Sequence, residues 1–302
     1  MIGRARAWAR KKWPRPVARA TSRARMAPSF LVIGEMKCGT TSFFSYLTRH
    51  PGVLAPWKKE LWYFDAHYER GESWYRSNFP LERAGEPFRR STGIPAITGE
   101  ATAYYMFHPL ARHRVHEFDP DMRLIALLRD PVERASSHYH HSHSKGRDPL
   151  TFEQALDAEE DRLRGETERI LLEPSYSRFG ETPYRSFAHI NYSYLARGRY
   201  AEQLEAWLEL FPREQLLVLR AEDLFERPGD AVEEAIAFLG LPHADLGEYP
   251  VLNTRTYEAM PPETRSRLAA YFEEPNRRLY ELLGRDLDWT RPTRSEEPVA
   301  VR

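Results

Sequence analysis

The chain of 302 residues has a single cysteine, Cys38. One thiol excludes an intrachain disulfide and any multi-cysteine zinc or iron–sulfur site, and a reducing compartment is the simpler setting. Long hydrophobic runs are missing as well. The longest are of the kind Phe30-Leu-Val-Ile33 and Leu124-Ile-Ala-Leu-Leu128, far short of the roughly eighteen apolar residues of a transmembrane helix. Net charge is also absent, with 44 Lys plus Arg against 44 Asp plus Glu. The balance is uneven along the chain, because residues 1–26 carry nine Arg or Lys and no acid, leaving the remainder acidic. That stretch contains Trp8, Trp13 and two prolines but no apolar core long enough for a secretory signal. It reads as a disordered extension over residues 1–28, either merely solvated, or an organellar presequence or anchor to an anionic surface. With neither signal nor membrane span, a cytoplasmic protein is expected, its only membrane contact a weak one through the basic N-terminus.

What is present describes a globular body, with 41% hydrophobic and 13% aromatic residues and a mean hydropathy of −0.65. From residue 29 the pattern runs strand, glycine-rich loop, helix: Ser29-Phe-Leu-Val-Ile-Gly34, then Glu35-Met-Lys-Cys-Gly-Thr-Thr41, then Ser42 to Arg49, stopped by Pro51. Further buried strands are expected at Ile97–Glu100, Arg123–Leu128 and Gln215–Arg220. A helix should enter through Pro131, a favoured first-turn residue, and others are expected over 151–163, 192–210, 231–239 and 264–283. Alternating strands and helices predict an α/β fold, P-loop-like, its mostly parallel sheet flanked by helices on both faces. No repeat or linker interrupts residues 30–290. A single domain over 29–290 is therefore expected, with 291–302 as a C-terminal tail.

Gly34-x-x-x-x-Gly39 between a strand and a helix resembles a Walker A loop, whose amides and helix N-terminus cradle phosphate. The departure from that pattern is informative. A Walker loop carries lysine immediately after its second glycine and then Ser or Thr for magnesium, whereas here Thr40 follows Gly39 and the lysine stands earlier, at Lys37. Such a loop can hold phosphate without being built for an ATP–magnesium complex; taken alone it is equally a tight turn. A second basic strand end supplies more. Arg129 closes the strand at 128, and Ser137 lies about two turns into the next helix, a pair able to hold a separate phosphate through charge-assisted hydrogen bonds.

Three segments together carry a family resemblance: Ile33-Gly34-x-x-Lys37-Cys38-Gly39-Thr40-Thr41-Ser42, Lys59-Glu60-x-x-Tyr63-Phe64-Asp65, and Leu128-Arg129-Asp130-Pro131-Val132-Glu133-Arg134-Ala135-x-Ser137. They are similar to the signatures of sulfotransferases that use 3'-phosphoadenosine-5'-phosphosulfate (PAPS), the carbohydrate, heparan-sulfate-type branch and its bacterial relatives above all. The likeness continues through Tyr200-Ala-Glu-Gln-Leu204, Phe211-Pro212, Glu222-Asp223-Leu224 and Tyr271-Phe-x-x-Pro-Asn276, so it spans residues 29–290. The resemblance implies that Lys37, Cys38, Gly39, Thr40, Thr41 and Ser42 bind the 5'-phosphosulfate, that Arg129 and Ser137 bind the 3'-phosphate, and that Arg255 belongs to a loop closing over the nucleotide. It implies Glu60 as general base and Lys37 as the cation for the leaving oxygen in a metal-independent in-line displacement. The acceptor would be a hydroxyl-bearing carbohydrate or glycoconjugate, with nucleic acid excluded.

Two departures set this chain apart. Glu100-Ala101-Thr102 stands where the vertebrate heparan 3-O enzymes have Glu-Lys-Thr, and Trp62 stands where several have histidine, so a highly anionic glycosaminoglycan acceptor is not required. The aromatics Trp57, Trp62, Tyr63, Phe64, Tyr68, Trp74 and Tyr75 can stack on sugars or serve as core. His138, His140, His141 and His143 lack the acidic or cysteine partners of a metal site. A P-loop kinase or NTPase is the competing enzyme class, and a binding module using the basic extension is the competing non-enzyme.

Overall fold

In a computed structural model the chain is described over residues 15–172, 184–250 and 260–289. Five strands form one sheet: β1 (Phe30–Gly34), β2 (Val53–Leu54), β3 (Ile97–Ala101), β4 (Arg123–Leu128) and β5 (Leu216–Arg220). Their order is β2-β3-β1-β4-β5, and every pairing is parallel. A parallel sheet needs cover on both faces, and β1 is accordingly buried at all five positions. Alternation then sorts its side chains. Leu31 and Ile33 join Leu124, Ala126, Leu128, Tyr105 and Trp207 on one face. Phe30 and Val32 join Ile125, Leu127, Phe43, Phe44 and Val232 on the other. The first face is covered by the helices Tyr200–Leu208 and Pro262–Leu283, the second by Thr40–Leu47 and Pro228–Phe238. Because β1 lies between β3 and β4, the chain leaves it toward one side of the sheet and later adds strands on the other. In parallel α/β sheets a crevice opens at the carboxyl edge beside the strand where the order reverses, which here is β1.

The expected strands stand within a residue or two of their predicted positions; β2, two residues long, gives too short a run for periodicity to find. Two helices differ. The segment 151–163 is split into Phe152–Asp157 and Glu159–Leu163. Of the expected 192–210, only Tyr200–Leu208 is α-helical. The apolar spacing before it is satisfied instead by an irregular turn whose Leu195 and Ala196 amides are held by the buried Glu159 carboxylate at 2.7 and 2.8 Å.

The basic extension also differs from expectation. Residues 15–28 are folded onto the body: Arg15–Ala20 is helical, and the buried Arg25 donates to the Phe79 carbonyl at 2.6 Å and to the Ala18 carbonyl at 3.2 Å. Arg76 returns a bond to the Arg25 carbonyl at 2.6 Å. At least one of the nine N-terminal cations thus serves as an internal cross-link, a role that charge counting alone does not suggest. Residues 1–14 and 290–302, including half of the extension and all of the expected tail, lie outside the described residues.

The approach of β1 and β3 yields a test. A Cβ at Gly99 would sit 2.4 Å from the Phe30 carbonyl oxygen and 2.6 Å from its ring, and the backbone atom cannot yield without opening the β1–β3 pairing. Gly99→Ala should cost about 2–3 kcal/mol in urea unfolding, in the range of core overpacking. A wild-type midpoint would contradict this strand spacing.

Candidate functional site

The loop 35–39 leaves β1 at the carboxyl edge and enters the helix Thr40–Leu47 through Gly39. Gly39 has φ 81° and its missing side chain leaves room for Phe225, whose ring would be 2.8 Å from a Cβ there. Glycine is required on both counts. Lys37 also adopts a left-handed conformation, φ 74°, which costs a non-glycine residue about 1–2 kcal/mol and marks the loop as held by its surroundings. The Glu35 amide bonds to the Leu127 carbonyl of β4 at 2.8 Å, and the Cys38 amide to the Glu35 carbonyl at 3.2 Å. The helix starts without a side-chain cap, the kind of helix N-terminus that can receive an anion. Thr40 is buried, Thr41 exposed and Ser42 half-buried at this end. Burial, with the Glu35 carboxylate adding to it, pushes the Cys38 thiol up to about 12. Cys38 is packing and not a nucleophile.

One strand over, Arg129 follows β4. It is largely covered, lies 3.7 Å from Glu133, and places its guanidinium 5.7 Å from the Phe225 ring centroid. The carbonyl of Arg129 accepts from the Tyr200 hydroxyl at 2.8 Å. Asp130 caps the following helix, Pro131–His143, by accepting the Val132 amide at 2.8 Å, while its own amide goes to Glu222 at 2.9 Å. Burial lifts the Asp130 carboxyl to about 6. Ser137 is buried in that helix. Arg129 lies just before this helix and Ser137 within it.

On the opposite side of β1, Glu60 is carried by a segment docked on the end of β3. The Ala101 amide donates to the Lys59 carbonyl at 3.3 Å, the Leu61 amide to Glu100 at 3.1 Å, and the Tyr63 amide to the Tyr105 hydroxyl at 2.9 Å. Glu60 itself is 37% exposed, 3.1 Å from the ammonium of Lys59. The Trp62 ring lies between Lys58, 4.3 Å from its centroid, and Arg185, at 4.8 Å. The loop of β1, Arg129 after β4 and Glu60 beside β3 thus stand at the carboxyl ends of three neighbouring strands. Ala101 is fully buried in the core, which accounts for a small residue there: a lysine would have to displace packed side chains.

Of the aromatic stretch, Tyr63, Phe64 and Tyr75 are core, with Tyr63 and Tyr75 stacked at 4.2 Å. Tyr68 and Trp74 are partly buried against them. Trp57 is exposed. The four histidines do not converge. His138 is buried against Arg134, 3.5 Å away, and burial drives it well below the usual imidazole range; His143 meets the Asp148 carbonyl at 2.9 Å. No cluster of three His, Cys, Asp or Glu side chains able to hold a metal occurs among the described residues. Nor is any helix among them long and apolar enough to cross a membrane. Arg255 lies outside the described residues.

Three features escape sequence reasoning. Phe225, 46% exposed, is an uncovered aromatic face beside Gly39 and Arg129, signalled only by following Glu222-Asp223-Leu224. Asp65 is 4% exposed, has no hydrogen-bond partner on either oxygen, and lines a cavity of about 180 Å³ with His67, Tyr104, His108, Arg185 and Ser186. Burial raises its carboxyl to about 7. Glu35, fully buried, pairs with the equally buried Arg197 at 2.9 Å. A buried charge inside a glycine-rich loop has no periodicity to announce it.

The family model described as Sulfotransferase domain matches residues 27–270. The chain is 31% identical over 319 residues to the Membrane-associated sulfotransferase kil1 of Dictyostelium discoideum, the match covering 87% of this chain and 66% of that protein, just under two thirds of its length. It is 28% identical over 298 residues to the Heparan sulfate glucosamine 3-O-sulfotransferase 6 of Mus musculus, covering 91% of this chain and 77% of that one. Among solved structures, the sulfotransferase from Alicyclobacillus acidocaldarius is similar at a TM-score of 0.60 and 30% identity, covering 88% of this chain and 99% of that chain.

The Asp65 carboxyl predicts a pH dependence. Its folded pKa of about 7 lies above the ordinary aspartate value of 3.8, so between these values the folded state binds a proton that the unfolded chain has released. Stability therefore falls as pH rises from about 4 to 7, by up to roughly 4 kcal/mol for a shift of this size. Asp65→Asn should be more stable than wild type at pH 8 and nearly equal to it at pH 4. Urea titrations across that range check this; parallel curves for the two proteins would remove the buried charge.

Proposed function

As a member of the sulfotransferase family, which the match over residues 27–270 establishes, this chain is an enzyme that transfers sulfuryl groups, and we propose that it takes them from PAPS and delivers them to a hydroxyl of a carbohydrate or glycoconjugate. The observation that supports this reading is that the β1 loop, Arg129 and Glu60 follow or flank the carboxyl ends of three neighbouring strands. The donor has phosphate at two ends of a nucleoside, and the edge offers two cationic sites. Lys37 and the amides and hydroxyls of Gly39 to Ser42, on the turn that Cys38 packs, would hold the 5'-phosphosulfate. Arg129 and Ser137 would take the 3'-phosphate, with Phe225 as a face for the base. The glycine at 39 fits such a donor, because its left-handed conformation turns the loop into the start of the helix, where an anion binds.

In the transfer the acceptor oxygen bonds to sulfur as the bond from sulfur to the phosphate oxygen breaks, and the acceptor proton passes to Glu60. Negative charge grows on the departing phosphate beside Lys37. The segment 59–63, pinned to β3, would hold Glu60 in place during this exchange. The Asp65 cavity and the Trp62 ring would form the acceptor side. Ala101 and Trp62, where anion-handling enzymes of the resemblance carry lysine and histidine, favour a weakly charged sugar. Displacement of the lysine from the Walker position and membership of this family leave the kinase alternative without support.

Incubation with sulfate-labelled PAPS and a panel of N-sulfated heparosan, neutral glucosides, a long-chain alcohol and a tyrosine peptide tests the acceptor class. Label confined to the last two would overturn the carbohydrate part of the reading. Glu60→Gln should lower kcat by roughly 10²–10⁴-fold while calorimetry finds binding of the product nucleotide, 3'-phosphoadenosine-5'-phosphate (PAP), nearly unchanged; turnover near wild type would move the base elsewhere. Arg129→Ala should weaken PAP by about 1.5–3 kcal/mol, as for a hydrogen bond to a charged group, and leave a nucleotide lacking the 3'-phosphate unaffected. Equal losses for both nucleotides would refute that assignment.

A further inference from the structure

Glu35 is fully buried, and its side chain accepts from the Met36 amide while its carbonyl accepts from the Cys38 amide at 3.2 Å. Lys37, in its left-handed conformation, is therefore bracketed by two amides that the same residue holds. The Glu35 carboxylate is in turn gripped by Arg197 at 2.9 Å. That guanidinium also donates to the Ala103 carbonyl at 3.2 Å, approaches the Met36 sulfur at 3.6 Å, and lies 5.2 and 5.3 Å from the Tyr104 and Phe107 ring centroids. One buried cation thus joins the β1 loop to the segment that follows β3. The second carboxylate oxygen of Glu35 and the Nε of Arg197 have no partner. An ion pair left partly unsatisfied in the interior is a poor stabiliser, since apolar side chains of similar size often do as well or better. Its fixed geometry is what remains to account for it.

We propose that Glu35 and Arg197 are positioning residues that set the backbone of Lys37 for cleavage of the donor, acting through the loop without touching the transferred group. This rests on the reading of residues 35–42 as the donor site. Burial pushes the Glu35 carboxyl upward, while Arg197 and Arg134 favour its charged form; the pair works as a clamp when both members are ionised.

The test compares wild type with Glu35→Gln, with Arg197→Lys, and with the neutral double variant Glu35→Gln/Arg197→Met. Three quantities are read: PAP affinity by calorimetry, single-turnover hydrolysis of PAPS to PAP and sulfate with water as acceptor, and amide hydrogen exchange across residues 36–41. Hydrolysis should fall about 10–100-fold in each variant, as for a misplaced catalytic group, with PAP affinity changed less than about threefold. Exchange at 36–41 should rise while the β1 and β4 amides keep their protection. A purely structural pair predicts loss of PAP affinity and rate together with the melting temperature, which overturns the proposal, as does wild-type hydrolysis in a folded Arg197→Lys. Should Glu35→Gln fail to fold, Arg197→Lys and the double variant decide. A wild-type protein that does not bind PAP counts against the donor reading; unchanged exchange at 36–41 in the variants counts against the clamp.

Discussion

A single carboxylate organises the segment that bears Glu60. Glu100, fully buried at the end of β3, accepts hydrogen bonds from the Leu61 amide and from the hydroxyls of Tyr75, Thr102 and Tyr105, at 2.8 to 3.1 Å. Burial pushes its pKa up, and each of these bonds pulls it down. A carboxylate in the interior is tolerable only when so provided for, and providing for it brings together residues far apart in sequence. Tyr105 then passes the constraint on, because its hydroxyl also receives the Tyr63 amide. The result is that the loop bearing Glu60 has little freedom to leave the sheet, although Glu60 itself is partly open to solvent.

Three buried acids near the crevice differ in how well they are satisfied, and the difference separates their roles. Glu100 has four donors. Glu35 has a cation and an amide for one oxygen and nothing for the other. Asp65 has no partner at either oxygen and faces a cavity. Complete satisfaction belongs to scaffolding, and an unmet acceptor beside empty space belongs to a place where something else is expected to arrive. The gradient follows from the energetics of burial alone.

Much of the architecture was legible because apolar runs such as 123–128 and 30–33 are long enough to identify central parallel strands, and because Pro131 and Gly39 punctuate the chain at the points where strands become helices. The basic strand ends followed from the same reading. What was not legible depended on tertiary partners. Asp65 looks like an ordinary surface acid until the aromatic residues around it close over. Arg25 counts as one more charge of a basic extension until the Phe79 carbonyl is seen to receive it. The irregular turn before Tyr200 carries a helical spacing of apolar residues, yet the Glu159 carboxylate claims its amides. In each case a long-range contact overrode a local preference.

The all-parallel strand order has a consequence for how the enzyme comes into being. β1 can pair with neither neighbour until the chain has been made as far as β3 on one side and β4 on the other, since parallel strands are joined by long crossovers and not by hairpins. The crevice is bounded by segments from all three strands, so no early fragment contains a partial version of it. Non-local pairing of this kind is slow to assemble and leaves apolar strand edges open meanwhile. During synthesis the nascent chain would therefore pass through a long interval in which the glycine-rich loop 35–39 already exists as a sequence but has no walls, and the folded arrangement would arrive late and all at once.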